Sequence, residues 1–427
     1  MTRQIQPKLL AAALVSALAA FPATQAQAQS ACGALPNNVN YSLALTVSGS
    51  CHAVSTTTAD QFIDKLSTSG LNSMGLGYNG TQVASINASF NTLGMNIVYP
   101  NAGFTGSGAT LNFAIPGLNI NKTFTGTDRD DSKRQLSDYL KKTDLIGKIM
   151  KYQAEHTPTS PLTGAGGLLP STTAADFNQN FTDTATNIAA PLAAVKQEAG
   201  ADTNLIGAAL SYSSLSTKDR DTKVVSIPLS YTIRNDMDPR RQLVLSLPIT
   251  QIETAGAKSY HTGLGVAYRM PMNDSWTLTP SGRISVVGSK DLATVAGLYS
   301  VSLTSTYVWT LPDFDVAMGN MIGYNKTMKI KSGDYSFDPD IQSTVLRNGV
   351  MLSQPVTLGG KKMSVEYSLI DTRYTGTKLY TDNTQELSVT LGTNKRAYSS
   401  RSFFRAGLSY IHGKDTDGFT LNFGYWF

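Results

Sequence analysis

From about residue 204 to the last residue, apolar and polar positions alternate in twelve segments. They lie at about 204–216, 222–234, 240–253, 258–270, 275–288, 294–310, 314–326, 342–354, 361–373, 384–394, 402–413 and 418–427. In KVVSIPLSYTIR, Val225, Ile227, Leu229, Tyr231 and Ile233 share one face, opposite Ser226, Ser230, Thr232 and Arg234. QELSVTLGTN sets Leu387, Val389 and Leu391 against Glu386, Ser388, Thr390 and Asn394. MSVEYSLID and FFRAGLSY repeat the pattern, with Glu366 and Arg405 on their polar faces. A period of two predicts strands. Each segment is near or above the roughly 9–11 residues a tilted strand needs to cross a bilayer. Tyr231, Tyr260, Trp276, Trp309, Tyr324 and Tyr374 recur near segment ends, as an aromatic girdle at the headgroups would. The tight connections NDMDP, PMND and LPD fall at every second link, and their partners include the longer MKIKSGDYSFDPDI. That predicts short turns at one barrel end and longer loops at the other.

The last segment, GFTLNFGYWF, places Phe419, Leu421, Phe423, Tyr425 and Phe427 on one face. In a soluble protein this would be an aggregation-prone edge strand. Closure into a barrel removes the edge by pairing the last strand with the first, and lipid covers the apolar face. Residues 204–427 are therefore predicted to form an all-β, transmembrane antiparallel β-barrel of about twelve strands with a polar lumen.

Upstream the pattern changes. NYSLALTV alternates Tyr41, Leu43, Leu45 and Val47, and ATLNFAI alternates Leu111, Phe113 and Ile115. Between them TTADQFIDKL predicts a short capped helix with Phe62 and Leu66 on one face. Residues 131–153 predict one amphipathic helix, capped by Asp131 or Ser132, with Leu136, Tyr139, Leu140, Ile146, Ile149 and Met150 near one stripe. Together these make 29–155 a small α+β domain. The Pro-, Gly-, Ser- and Thr-rich run that follows predicts a flexible linker over 156–183. A helix is predicted within 184–203, kinked or broken at Pro191.

Composition adds an address. Arg3 and Lys8, the apolar run Leu9 to Phe21 and the small residues AQA (Ala26 to Ala28) predict a secretory signal peptide over 1–28. No later run of about 18 apolar residues predicts a membrane helix, so any span must use strands. In an exported chain the only two cysteines, Cys32 and Cys51, are expected to form one disulfide. Charged residues are few, at 15%, and the net charge of +5 is spread along the chain. Nucleic acid therefore has no basic patch to bind.

A signal peptide, an exported region, a linker, a helical segment and twelve strands ending in Phe resemble the autotransporter class of outer-membrane proteins. The resemblance is architectural over about 184–427, and only FTLNFGYWF is motif-like: it resembles the C-terminal signal by which such barrels are recognised for assembly. It implies residence in the bacterial outer membrane, contact with its lipid and with the barrel-assembly machinery, and a helix through the pore, matched here by Thr184 to Ala201. It also implies a passenger carried to the cell surface. The short N-terminal region, without the repeated strands of a β-helical passenger, departs from the family pattern, as does Pro191.

Candidate chemistry is sparse. Arg234, Arg269, Arg283, Glu366, Glu386 and Arg405 are expected to face the lumen, where they could set ion selectivity or clamp an internal helix. A twelve-stranded lumen is narrow enough for one helix to fill much of it, which favours a plug. The histidines are His52, His156, His261 and His412, and no GxSxG elbow accompanies them. A hydrolase would need His261 or His412 beside a serine. Asp128, Asp130 and Asp131 lack the Gly and Glu of a calcium loop and are read as helix-terminal acids. No motif has metal spacing and no cofactor is expected. The sequence thus predicts a non-enzymatic, autotransporter-like protein that displays or anchors its N-terminal domain. The alternative is a porin-like channel for small polar solutes with a periplasmic N-terminal domain.

Overall fold

A computed structural model describes residues 35–36, 38–100, 108–187, 204–218, 220–332, 335–393 and 403–426. The expected signal peptide, Cys32, Pro191, the 188–203 part of the expected pore helix and Phe427 lie outside the described residues. Cys51, the other expected disulfide residue, lies in the strand Ser50–Thr56.

The N-terminal domain is a six-stranded antiparallel sheet in the order β2-β1-β3-β4-β5-β6. Its strands are β1 Tyr41–Val47, β2 Ser50–Thr56, β3 Ala84–Phe90, β4 Leu93–Tyr99, β5 Ala109–Ile115 and β6 Ile120–Gly126. Alternation fixes its core: Tyr41, Leu43, Leu45, Leu111, Phe113 and Ile115 are all buried on one face. Helix α1, Ala59–Lys65, starts at Thr58, whose hydroxyl accepts from Gln61 N, and drops Phe62 against Tyr41 and Phe90. A five-residue helix, α2, covers Thr68–Asn72.

The single helix expected over 131–153 is two, α3 Arg129–Lys142 and α4 Leu145–His156. Thr143 breaks it by adopting an extended conformation while its hydroxyl bonds back to Tyr139 O. The cap is Asp128 rather than Asp131 or Ser132: its carboxylate accepts from Asp131 N at 2.8 Å, while Asp131 reaches back to Thr127 N at 2.9 Å. The acidic cluster is thereby used in a reciprocal cap.

The remaining strands close into a twelve-stranded antiparallel barrel. They are β7 Leu205–Thr217, β8 Asp221–Arg234, β9 Gln242–Thr254, β10 Ala257–Pro271, β11 Trp276–Ser289, β12 Thr294–Thr310, β13 Asp315–Met328, β16 Gln342–Leu358, β17 Lys361–Gly376, β18 Asn383–Thr393, β19 Phe403–Gly413 and β20 Thr416–Trp426. The short hairpin β14 Ile330–Ser332 and β15 Tyr335–Phe337 stands between β13 and β16. Closure pairs β20 with β7, from Thr416–Thr217 to Trp426–Gly207. Phe419, Leu421, Phe423 and Tyr425 point outward and are 44–56% exposed. They join an exposed apolar band with Leu229, Ile249, Leu264, Ile284, Ile322, Val350, Leu369 and Leu387. The lumen is lined by Ser, Thr, Arg and Glu. An apolar outside around a polar inside inverts a soluble protein and suits a strand-built membrane span. The chain is an outer-membrane β-barrel.

The N-terminal domain sits on the end of the barrel opposite the start of β7 and the end of β20. Asn40 Nδ2 donates to Thr254 O at 3.2 Å, Tyr41 OH to Asp291 O at 3.0 Å and Ala59 N to Asp291 O at 2.7 Å. Arg220, on the β7–β8 turn, donates to Asn40 Oδ1 at 3.1 Å and to Asn91 Oδ1 at 2.5 Å. Ala257 and Leu292 of the barrel turns enter the domain's own apolar core. The expected contrast between tight turns and long loops is largely lost: on the domain end 218–220, 255–256, 290–293 and 414–415 are also tight, and 377–382 and 329–341 are the longer links. The domain itself covers this end, so long loops are not needed there.

The region expected to be a flexible linker is packed into the barrel. Thr157, Thr159, Ser160, Leu162 and Thr163 are each at most 5% exposed. The turn is held by Gly164 N to Ser160 O, Ala165 N to Pro158 O, Leu168 N to Pro161 O and Leu169 N to Leu162 O. Its glycines answer to space and torsion. A Cβ on Gly164 would stand 2.4 Å from Pro158 O, and Gly166 has φ +71°. Beyond it helix α5, Leu168–Phe177, continues through a π-turn, Asn178–Thr182, into α6, Asp183–Asn187. The described internal helix thus starts well before Thr184.

Candidate functional site: the occupied lumen

The rod from Leu168 to Asn187 presents two stripes at four-residue spacing, which is one helical face each. The polar stripe is Thr172, Asp176, Asn180 and Thr184, all buried. Thr172 Oγ1 bonds to Ser285 Oγ at 3.4 Å, and Asn180 Nδ2 to Ser281 Oγ at 3.0 Å and Thr304 Oγ1 at 3.3 Å. Asp176 takes Arg283 Nε at 2.7 Å on one oxygen and Ser300 Oγ at 3.2 Å on the other.

The apolar stripe centres on Phe177 and Phe181, whose rings lie 5.1 Å apart. They fill a notch made by two strand glycines. A Cβ on Gly319 would be 2.3 Å from Phe181 Cδ2, and one on Gly349 would be 3.0 Å from Phe177 Cζ. Val308, Ala317, Met321, Val345 and Met351 close around them. The helix is therefore seated on the β12–β13–β16 wall rather than hanging free in the lumen.

Four luminal arginines each meet a carboxylate. Arg283 meets Asp176, and Arg269 lies 3.7 Å from Asp183 while donating to Gln179 O at 2.6 Å and Gln242 Oε1 at 2.5 Å. Arg347 meets Glu386 at 2.8 Å and stacks on Phe177, 5.1 Å from its ring centre, and Arg405 pairs with Glu366. Two pairs tie helix to wall and two tie wall to wall. Arg234, at the end of β8, is 9% exposed and its backbone N–H bonds to Asn204 Oδ1 at 3.2 Å. Sequence reasoning placed Arg234, Arg269, Arg283, Glu366, Glu386 and Arg405 on polar faces but missed Arg347, Asp176 and Asp183, which supply three of the four pairs with a partner. The spacing Thr172–Asp176–Asn180–Thr184 and Leu169–Thr173–Phe177–Phe181–Ala185 was the available signal. Amphipathic scanning passes over it because a helix facing a polar wall needs no wide apolar stripe.

The helix leaves the other side of the lumen unfilled. A cavity of about 430 Å³ runs between it and the wall formed by β7, β8, β18, β19 and β20. Ser211, Ser226, Ser230, Ser388, Ser409 and Thr420 line it with hydroxyls. The histidines do not assemble a hydrolase site. His261 is buried with Nε2 unpaired, and His412 is exposed on the outer face with Nδ1 2.6 Å from Asp417. Among the described residues no serine hydroxyl bonds to either ring, and no cluster of metal-ligating side chains occurs.

No protein-family model matches the sequence. No curated protein matches it either. The fold is similar to the β domain of the Bordetella autotransporter BrkA, with TM-score 0.42 and 15% identity over 53% of this chain and 99% of that one. It is similar to the translocator domain of the autotransporter NalP from Neisseria meningitidis, with TM-score 0.41 and 12% identity over 60% of this chain and 96% of that one. The NanC porin is similar at TM-score 0.34 and 9% identity, over 51% of this chain and 98% of that one. Likenesses this distant carry no argument about function, which rests on the geometry of the lumen.

Proposed function

We propose that the protein is a non-enzymatic, autotransporter-like outer-membrane anchor that holds its N-terminal domain at the cell surface. One observation carries this reading: the chain leaves the domain at one barrel mouth, runs through the lumen as the 168–187 helix, and re-enters the wall as β7 at the opposite mouth. An even number of antiparallel strands puts the start of β7 and the end of β20 at the same end, the periplasmic one in outer-membrane barrels. The domain then faces outward. The helix-to-wall pairs Arg283–Asp176 and Arg269–Asp183 support retention of the helix as a plug, and the Arg220 contacts support a domain docked on its own barrel. Barrel-assembly machinery and lipid are the partners this reading needs. A porin-like channel with a periplasmic domain is the second reading, favoured by the hydroxyl-lined cavity.

Protease shaving of intact cells separates the two. A tag is inserted at the exposed turn around Gly75 and Gly77, because the 157–167 segment is packed inside the mouth and cannot accept one. Loss of the tag with a periplasmic marker intact is the expected result. Protection until the outer membrane is opened would put the domain in the periplasm and sink the display reading.

A further inference from the structure

On four of the strands around the cavity, β7, β8, β9 and β19, the lining changes character at one level. Along β7 the inward residues run Gly207, Ala209, Ser211, Ser213 and then Leu215; along β8 they run Ser230, Pro228, Ser226 and then Val224. On β9 and β19 the hydroxyls of Thr250 and Ser409 give way to Ile252 and Ile411. These four aliphatic residues are neighbours across the strands: Val224 pairs with Ile252, and Ile411 pairs with Gly418, which pairs with Leu215. Leu215, Val224 and Ile252 are buried as one cluster, with Ala165 and Ile411 packed on it. The 164–167 turn is pressed against this cluster so closely that a Cβ on Gly166 would stand 2.5 Å from Val224 Cγ2. Aliphatic contact at a constriction holds water out and stops conduction by dewetting.

We propose that the protein is also a gated conduit for small uncharged polar solutes. The hydroxyl-lined half of the lumen is the path, and the contact of Ala165 and Gly166 with Leu215, Val224, Ile252 and Ile411 is its gate. The cavity volume lies within the range of about 300–1,000 Å³ that holds small organic ligands. Arg283, Arg269, Arg347 and Arg405 are each paired with a carboxylate, so among the described residues the path offers hydroxyls and paired charges, which selects polyols and small sugars over ions. The gate belongs to the turn and not to the helix, so it can open with the helix still seated. The inference rests on the plugged arrangement but is independent of which side the domain faces.

The test is osmotic swelling of liposomes carrying the full-length protein, in erythritol, arabinose and a charged control such as gluconate. Val224→Thr is isosteric, Ile252→Thr is one methyl smaller, and together they place two hydroxyls in the seal. The expected result is polyol entry at least tenfold faster than the unaltered protein, gluconate entry unchanged, and unchanged exchange protection of the 168–187 amides. Ile411→Thr with Ala165→Ser, from the other side of the contact, gives the same result if the first pair fails to fold. Equal swelling of folded variants and unaltered protein would overturn the gate. Equal entry of gluconate and erythritol would overturn the assigned solute class, and loss of helix protection would move the gate to the helix.

Discussion

Removing Asp176 should unseat the luminal helix while leaving the barrel intact. Its carboxylate is 7% exposed and pairs at 2.7 Å with Arg283, whose side chain is 1% exposed. In Asp176→Ala, Arg283 keeps Ser246 Oγ at 3.1 Å but loses its counter-charge, and Ser300 loses its acceptor. Breaking a buried pair from one side costs about 3–5 kcal/mol, most of it the orphaned charge. Arg283 keeps the Ser246 hydrogen bond, so the lower end, about 3 kcal/mol, is the better figure. At about 1.4 kcal/mol per tenfold, the helix opens roughly a hundred times more often. Hydrogen exchange of the 172–184 amides in reconstituted protein reads this directly, because local opening sets their protection. Protection should fall about a hundredfold while β12 and β13 amides stay unchanged. Asp176→Ala combined with Arg283→Met removes the orphan and should recover most of the loss, giving a coupling energy of about 1–3 kcal/mol. A double variant as unprotected as the single one, or a single variant with normal protection, would show that the pair does not hold the helix.

Three further outcomes are expected. Gly319→Val fills the notch occupied by Phe181 and should loosen the same amides by about 1–3 kcal/mol, with rescue by Phe181→Ala; no change would mean the ring is not seated there. Arg220→Ala leaves Asn40 and Asn91 without its guanidinium and should weaken domain docking by about 1–3 kcal/mol, read as faster proteolysis of the 38–56 strands at unchanged barrel heat-modifiability. Asp144, at the start of α4, has its carboxyl raised above the ordinary carboxylate range by burial and then by the charge of Asp338 on the facing loop. The folded protein therefore binds that proton more tightly than the unfolded chain, so this contact is strongest below the ordinary carboxylate pKa and weakens as pH rises through the raised one. Protection factors at α4, which correct for the intrinsic pH dependence of exchange, should be higher at pH 4 than at pH 7, and Asp144→Asn should abolish the difference; equal protection factors at both would refute it.

The period-two pattern determined the barrel because lipid and lumen impose opposite demands on successive residues of one strand. Each strand carries that contrast locally, so KVVSIPLSYTIR and GFTLNFGYWF could be assigned faces with no knowledge of their neighbours. The core of the N-terminal sheet, from Tyr41 to Ile115, was legible for the same reason. The contents of the lumen were not. SPLTGAGGLLPSTTAADFNQN looks like a linker because Pro, Gly, Ser and Thr disfavour isolated helices. In the barrel its glycines permit a tight turn, and its Asp, Asn and Thr find partners on Arg283, Ser281 and Ser285, which lie about a hundred positions away in sequence. Likewise Gly319 and Gly349 look like weak points in two strands until Phe177 and Phe181 arrive to fill them. Sequence sets what a segment can pair with along its own backbone; only closure of the barrel decided which polar groups would meet inside it.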